Sequence, residues 1–436
     1  MGLLTFSVGG IHPNDNKLYT ANLPIENLKA PKQLVIPLSQ HAGAPCKPVV
    51  EPGQRVFMYS KIGEPTAFVS ASVHSSVSGK VIEIRNHPSS TGRMVLSVVI
   101  ENDGKDEAVE LEEDEDYINK EPDVLKERIK QAGIVGMGGA TFPTSVKLSP
   151  PKEKPIDSII INGAECEPYL TADHRMMVEK PIEVLEGLRV LMKVLGVANG
   201  YVGIENNKKD AIKYMVSACA GFEGIKVLPL KVKYPQGAEK MLIKSILNRE
   251  VPAGGLPMDV RVVVQNVGTA YAIYEAVRYN RPVVERVVSV TGAGIKNPKN
   301  LKVRIGTQIK DVIDYCGGVK AGVSKVIAGG PMMGFALYST DIPVTKGTSG
   351  IVALVEQGLT HYEKYRACIR CGRCIEACPM GLMPQMFSVY VERGFYEDCK
   401  DYNLFDCFEC GSCTYVCPAK RPIVQQIRLA KTLVKR

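Results

Sequence analysis

Cysteines are the residues whose spacing most clearly indicates chemistry in this chain of 436 residues. Eight of its 13 cysteines lie between Cys368 and Cys417, in two groups that read CIRCGRCIEACP and CFECGSCTYVCP. Moving the first group by 39 residues, from Cys368 to Cys407, superimposes every cysteine, a glycine and the final proline. An odd total without a signal peptide argues against a disulfide framework, whereas thiolates at repeated fixed spacing suit metal binding. The C-terminal part is therefore predicted to hold two metal centres related by internal duplication.

The spacing also distinguishes iron–sulfur clusters from zinc. The C-x2-C-x2-C-x3-C-P run is typical of two-cluster bacterial ferredoxins, where three close cysteines hold one [4Fe–4S] cluster and the fourth holds the other. Zinc sites usually have two separated C-x2-C pairs, which leaves a third close cysteine without a role. We therefore assign the first cluster to Cys368, Cys371, Cys374 and Cys417, and the second to Cys407, Cys410, Cys413 and Cys378. Cys399, between the groups, is expected to be a packing residue.

A glycine-rich segment in the middle of the chain is the second chemical signal. GIVGMGGATFPTSVKL follows a predicted amphipathic helix over 123–131 and places four glycines ahead of Phe142 and Lys147. Glycines at this density let a backbone approach a flat or phosphorylated ligand, although a plain glycine turn is the alternative. The segment is neither a G-x-G-x-x-G nor a Walker loop.

A predicted strand over 156–161 follows, and polar side chains come directly after it. The segment NGAECEP supplies Asn162, Glu165 and Glu167 at that point. Ligands of open α/β sheets bind beyond the carboxyl ends of the strands. An amide and two carboxylates placed there suit a ligand rich in hydroxyl groups, or cations.

These segments resemble those of a known family, the flavin- and NADH-binding subunit of respiratory complex I. GMGGATFPTSVK is similar to its G-R-G-G-A-G-F-P-T-G-x-K, and NGAECEP to its N-A-D-E-S-E-P. YPQGAEKMLIKSI and QNVGT are similar to two further segments, in the same order. With the GGIHPNDNK opening and the duplicated cysteine tail, the whole chain resembles the RnfC family of the membrane-bound Rnf complexes, which are ion-pumping ferredoxin:NAD+ oxidoreductases.

The resemblance implies an FMN site and an NADH site. The residues implied to hold FMN are Gly136, Gly138, Gly139, Lys147, Asn162, Glu165, Tyr234, Asn266 and Thr269. Those implied to contact NADH are Phe142, Glu167 and Glu239. The chain departs from the family pattern where the family has Arg, Asp, Glu and Asn, at Met137, Ala164, Ala238 and Gln265.

The elements that must position these residues form a multidomain chain of α/β and α+β class. Strand patterns in the first part resemble a lipoyl-type barrel-sandwich hybrid, and residues 106–116 hold eight acidic residues in 11, which predicts a solvated linker. A Rossmann-like flavin and NADH domain, an SLBB (soluble-ligand-binding β-grasp) module and a two-cluster ferredoxin-like helical domain follow. The predicted boundaries are 1–100, 101–122, 123–280, 281–356 and 357–436.

Composition limits the cellular role. The chain is 45% hydrophobic, yet no stretch approaches the roughly 20 apolar residues that cross a bilayer. Its net charge is +8, without the basic stripe and interleaved aromatic residues of a nucleic-acid-binding module. A basic amphipathic helix is predicted at the C-terminus, either solvated or docked on an anionic lipid surface or an acidic partner.

The resulting hypothesis is a peripheral subunit on the cytoplasmic side of the cell membrane. It would exchange a hydride between NAD(H) and FMN and move single electrons through two [4Fe–4S] clusters. Its partners would be the other subunits of an ion-pumping Rnf complex and, indirectly, ferredoxin. The alternatives are a cobalamin reductase of bacterial microcompartments, which has the same modules, and a non-catalytic iron–sulfur scaffold.

Overall fold

The computed structural model describes residues 2–355 and 366–435, and the first part of the chain is built from short strands. A 3-10 helix at Lys17–Tyr19 is followed by β1 (Ile25–Asn27), β2 (Gln33–Pro37), β3 (Lys47–Pro48), β4 (Arg55–Val56), β5 (Lys61–Glu64), β6 (Val73–His74), β7 (Gly79–Pro88) and β8 (Met94–Asn102). Two antiparallel sheets, β2-β8-β7-β4 and β3-β5-β6, enclose a core that includes Leu34, Ile36 and Ile100, all fully buried. Each such side chain contributes roughly 1.5–3 kcal/mol on burial.

The acidic segment after β8 does not form the solvated linker that we expected. Glu107 pairs with Arg55 at 2.5 Å, and Asp114 pairs with Arg128 at 2.8 Å. A 3-10 helix over Tyr117–Asn119 then buries Tyr117. Arginines from distant parts of the chain neutralise the self-repulsion of the carboxylates, so the segment packs against its neighbours.

The middle of the chain alternates helices and parallel strands. Its elements are α1 (Pro122–Gln131), α2 (Thr144–Lys147), β9 (Ser158–Gly163), α3 (Ala172–Glu179), α4 (Pro181–Leu195), β10 (Asn199–Glu205), α5 (Lys209–Cys219), β11 (Ile225–Leu230), α6 (Glu239–Leu247), a 3-10 helix (Pro257–Val260), β12 (Val262–Asn266) and α7 (Val267–Tyr279). The predicted helix over 123–131 is confirmed as α1. The strand predicted over 156–161 begins later, at Ser158, because Asp157 turns to ion pairs with Arg249 and Arg261.

The parallel strands form a sheet in the order β11-β10-β9-β12. Ile159, Ile160 and Ile161 are all fully buried, as expected for a parallel strand with helices on both faces. On one face, α4 lies so close to α7 that a side chain at Gly187 would collide with the carbonyl of Ala270. The strand ends therefore have a rigid foundation.

The next sheet combines both ends of the described chain up to residue 355. Its elements are β13 (Glu285–Thr291), β14 (Lys299–Arg304), α8 (Ile309–Tyr315), β15 (Val323–Ala328), β16 (Phe335–Ala336) and β17 (Gly350–Val355). The order is β1-β14-β13-β17-β15-β16, so the first strand of the chain pairs with β14 rather than with the barrel-sandwich strands. The predicted domain boundaries stay predictions, but the start of the chain clearly spans several modules.

The C-terminal part repeats one small motif. Its elements are α9 (Arg373–Glu376), α10 (Pro384–Glu392), 3-10 helices at Glu397–Tyr402 and Leu404–Asp406, α11 (Ser412–Tyr415) and α12 (Ile423–Leu433). Gly372 and Gly411 precede the two four-residue helices with φ of 77° and 82°, which only glycine adopts without strain. Cys399 is fully buried in the core of this part.

No helix within residues 2–355 and 366–435 is long and apolar enough to cross a membrane.

Candidate functional site

The predicted binding residues meet where the parallel sheet changes its direction of growth. From β9 the chain adds β10 and β11 on one side and later β12 on the other, which creates a topological switch point of the kind where open sheets bind ligands. Asn162 and Asn266 are register partners at the carboxyl ends of β9 and β12. Asn162 donates to the carbonyl of Gly237 at 2.8 Å. Asn266 caps α7 by accepting from the N–H of Gly268 at 2.8 Å, and donates to the carboxylate of Asp173 at 2.6 Å.

The glycine-rich loop is closed by its own backbone and anchored to α7. The N–H of Gly136 donates to the carbonyl of Phe142 at 2.9 Å. The N–H of Met137 donates to the buried hydroxyl of Thr269 at 2.9 Å, and that hydroxyl donates to the carbonyl of Val135 at 3.2 Å. Thr269 therefore supports the loop, and the ring of Phe142 stays partly exposed beside it.

Two glycines of this loop are needed for different reasons. A Cβ at Gly138 would lie 2.9 Å from the amide nitrogen of Asn266, so a larger residue would push the loop away from β12. A Cβ at Gly139 would meet nothing within 4 Å. This side of the loop has room for a bound group.

Lys147 brings a cation to the same edge of the sheet. Its ammonium group, at the end of α2, donates to the carboxylate of Glu239 at 2.8 Å and to the carbonyl of Val264 on β12 at 3.1 Å. Glu239 begins α6, where a carboxylate is favoured by the helix dipole. A residue assigned to FMN and one assigned to NADH thus contact each other directly.

Glu165 and Asp173 form a second charged group beside the loop. Glu165 adopts a left-handed backbone (φ 44°) and accepts from the N–H groups of Asp173 and His174 at 2.8 and 3.2 Å, in the first turn of α3. Burial, together with the nearby Glu165, raises the pKa of Asp173 to about 6. The carboxylate of Glu165 is thus already oriented by the N-terminus of a helix.

Glu167 and Tyr234 lie at the junction with the C-terminal modules. Glu167 accepts from the N–H groups of Met332 and Met333 at 3.0 and 2.8 Å, and burial raises its pKa to about 7. Tyr234 is buried, and its hydroxyl donates to the carbonyl of Cys410 at 2.6 Å. The structure therefore directs both side chains away from the glycine-rich loop. Their roles toward NADH and FMN stay predictions.

The N-terminal segment completes this junction. The N–H of Gly10 donates to the carbonyl of Ala377 at 3.0 Å, and Ile11 and Tyr234 exchange backbone hydrogen bonds at 2.8 and 2.9 Å. A Cβ at Gly9 would lie 2.5 Å from the backbone of Cys378. The start of the chain is thus held between the flavin-type sheet and the cysteine-rich tail.

Two cations at the site were missed by the sequence reasoning. The ammonium of Lys17 donates to the carbonyls of Glu165, Glu167 and Leu170 at 2.8, 3.0 and 2.6 Å, which fixes the turn after β9. The GGIHPNDNK opening contains this lysine and was its sequence signal. Arg286, on β13, donates to the carbonyl of Met137 at 2.5 Å, and nothing in its local sequence indicated this role.

The residues at the strand ends fit an FMN. Gln265, just before Asn266 on β12, is buried, and both atoms of its side-chain amide lack a hydrogen-bond partner among the described residues. The buried hydroxyl of Thr144, at the start of α2, likewise lacks one within that part of the chain. Unpartnered buried polar groups are costly, so donors and acceptors here are suited to a polar ligand.

The thiols of the cysteine tail are grouped in the way that we assigned them. Burial raises the pKa of Cys374, and the nearby Cys417 and Cys368 raise it further. Burial likewise raises the pKa of Cys407 to about 12, with Cys410 and Cys378 adding to the shift. Cys374 therefore has a neighbour from the second motif, Cys417, and Cys407 has one from the first, Cys378. This exchange of fourth ligands fits two [4Fe–4S] clusters, although the individual ligand assignments stay predictions.

Comparison with family models identifies all four modules. Residues 5–105 match the RnfC barrel sandwich hybrid domain, 129–275 the Nuo51 FMN-binding domain, 287–336 the SLBB domain and 367–420 the 4Fe-4S dicluster domain. The matches confirm the predicted fold class and the two kinds of cofactor, FMN and [4Fe–4S] clusters.

Curated relatives align along nearly the whole chain. The RnfC-type subunit of the proton-translocating ferredoxin:NAD(+) oxidoreductase complex of Clostridium ljungdahlii is 51% identical, over 97% of this chain and 93% of the relative. Its Na(+)-translocating counterpart in Acetobacterium woodii is 47% identical, over 97% and 96%. Among solved structures, an air-oxidised NAD+-reducing [NiFe]-hydrogenase has a TM-score of 0.52 at 16% identity, over 72% of this chain and 63% of that chain, and shares the fold.

Proposed function

Because this chain belongs to the RnfC family, whose members are subunits of ion-translocating ferredoxin:NAD(+) oxidoreductase complexes, we propose that it exchanges a hydride between NAD(H) and a bound FMN. Single electrons would then move between FMN, two [4Fe–4S] clusters and partner subunits. FMN supplies the chemistry that joins paired and single electron transfer when it is bound. The observation that carries this proposal is the direct contact between the flavin-type domain and a cysteine loop, at Tyr234 and Cys410.

The chain's own residues would bind and orient the two ligands. The loop at Gly136, Gly138 and Gly139 would lie against FMN, with Lys147, Asn162, Glu165, Asn266 and Thr269 around it. Phe142 and Glu239 border the same edge and would contact NADH. Hydride transfer depends on alignment of two rings rather than on an acid or base, so the rigid foundation below the strand ends serves this chemistry.

The site of action would be the cytoplasmic side of the cell membrane, where partner subunits hold the chain. The names of the relatives support membership in a complex that translocates ions. Reduction of cobalamin and a purely structural role are the competing functions.

Analysis of the purified chain tests the proposal. We expect bound flavin, about eight irons and bleaching of the flavin absorption by NADH under anaerobic conditions. Lys147→Met should weaken FMN binding by about tenfold or more, because it removes a charge-assisted hydrogen bond and leaves Glu239 unpaired. Lys152→Met is the matched control, because Lys152 is exposed. A protein with intact clusters and flavin that NADH does not bleach would refute the enzymatic role.

A further inference from the structure

The internal duplication allows each position of the first cysteine group to be compared with its counterpart in the second. In the second group, the carbonyl of Cys410 accepts from Tyr234, and a Cβ at Gly411 would lie 2.9 Å from the carbonyl of Met332. In the first group, the counterpart Cys371 is exposed, and a Cβ at Gly372 would meet nothing within 4 Å. One copy of the motif is thus covered by the rest of the chain, and within the described residues the other is bare.

The charges of the two copies differ in the same way. In the covered copy, Glu409 accepts from Arg428 at 3.1 Å and from Lys431 at 2.9 Å. The counterpart of Glu409 in the bare copy is Arg370, which is exposed, as is Arg373. Neither arginine forms an ion pair with any carboxylate in the described part of the chain. The covered copy thus satisfies its charge internally, and the bare copy presents unpaired cations.

The bare copy also exposes apolar side chains between these cations. Ile369 is 65% exposed and Ile375 is 36% exposed. Glu376 is exposed beside them, so the local balance with Arg370 and Arg373 remains positive. Apolar side chains surrounded by arginine are typical of protein–protein interfaces.

We propose that the face formed by Ile369, Arg370, Cys371, Arg373 and Ile375 docks a carboxylate-rich surface of a one-electron redox protein. This bare face would then be where electrons enter or leave the chain, which rests on the proposed function. Each transfer moves one electron between the centre bound by the cysteines and the redox centre of the partner, so that one is oxidised as the other is reduced. No bond is formed or broken between the proteins.

A protein partner fits this face better than a lipid surface does. The basic C-terminal helix, α12, was the candidate for lipid docking, but its Arg428 and Lys431 are engaged with Glu409. The isolated isoleucines of the bare face lack the continuous apolar stripe with which interfacial helices enter a membrane. Redox encounters, by contrast, use small interfaces steered by charge.

Charge reversal tests the proposal with the full chain carrying its clusters. The probes are membrane vesicles of the source organism stripped of this chain, and protein-free vesicles of phosphatidylglycerol and phosphatidylcholine. R370E/R373E should bind the stripped membranes about tenfold or more weaker than the wild type, and wild-type binding should weaken between about 50 and 300 mM salt. R370Q/R373Q, which removes the charge without reversing it, should lie between the two.

The control is K213E/K226E, which changes the net charge equally on exposed lysines of α5 and β11. It should bind like the wild type. Wild-type affinity in R370E/R373E with full iron content would overturn the proposal, as would equally tight binding of the wild type to protein-free vesicles. NADH should bleach the flavin of R370E/R373E as in the wild type. Failure of that bleaching in the wild type itself would refute the proposed function and leave the binding result intact.

Discussion

Replacing Tyr234 with phenylalanine separates two interpretations of one residue. The family resemblance implies that Tyr234 contacts FMN, whereas its hydroxyl donates to the carbonyl of Cys410 at 2.6 Å. Phenylalanine keeps the buried ring and removes only this hydrogen bond. We therefore expect Tyr234→Phe to loosen the contact between the flavin-type domain and the second cysteine group, with little change in FMN affinity.

The size of the effect follows from the burial of the pair. Tyr234 is 2% exposed, so the carbonyl of Cys410 would lose a partner that water replaces poorly. An unsatisfied buried acceptor costs about 1–3 kcal/mol. A decrease of that size in the free energy of local opening raises the opening frequency about 5- to 150-fold.

Hydrogen–deuterium exchange followed by mass spectrometry measures this opening. Peptides covering 407–413 and 9–11 should exchange faster in Tyr234→Phe, because both segments hydrogen-bond to Tyr234 or its neighbours. Tyr201→Phe is the matched control, since its hydroxyl forms no hydrogen bond within residues 2–355 and 366–435. Unchanged exchange at 407–413, combined with weaker FMN binding, would refute the geometric interpretation and favour the one from resemblance.

Two further predictions concern Glu167 and the cysteines. The pKa of Glu167 is about 7 in the folded chain against an ordinary 4.5, so its neutral form is favoured on folding. Stability of the wild type should therefore fall as pH rises from about 4.5 to about 7, by at most about 3 kcal/mol, and Glu167→Gln should lack this fall in thermal melts. Cys413→Ser should lower the iron content from about eight to about four per chain, with loss of one cluster signal in electron paramagnetic resonance. Cys399→Ser, which alters a buried cysteine outside both motifs, should keep all the iron; equal losses in both variants would contradict the ligand assignment.

Local patterns carried most of what could be predicted about the binding elements. The spacing of the cysteines fixes which thiols share a turn, and the helix α1 follows from apolar periodicity over 123–131. The polar residues after β9 could be placed because they directly follow a buried apolar run. These features depend on neighbours in sequence, which is why they are readable without a structure.

Contacts between distant segments could not be predicted in the same way. The hydrogen bond from Arg286 to Met137 joins residues 149 positions apart, and the acidic segment pairs Glu113 with Arg278 across 165 positions. An exposed ion pair and a buried one look alike in sequence, because neither leaves a periodic pattern. The position of Gly9 against Cys378 is a further example, since a glycine in a turn-rich opening does not indicate what lies against it.

The position of Arg286 bears on whether the departures from the family pattern indicate lost function. Met137 replaces an arginine of the family, which taken alone favours a scaffold without a nucleotide site. Yet the guanidinium of Arg286 reaches the backbone of Met137 from β13, and its Nε atom is buried without a partner among the described residues. Holding a buried guanidinium costs several kcal/mol unless nearby groups compensate, and the carboxylates of Asp173 and Glu165 do so only in part. A positive charge thus remains beside the glycine-rich loop, supplied by another module, so the substitution at Met137 relocates the charge and gives little support to a scaffold role.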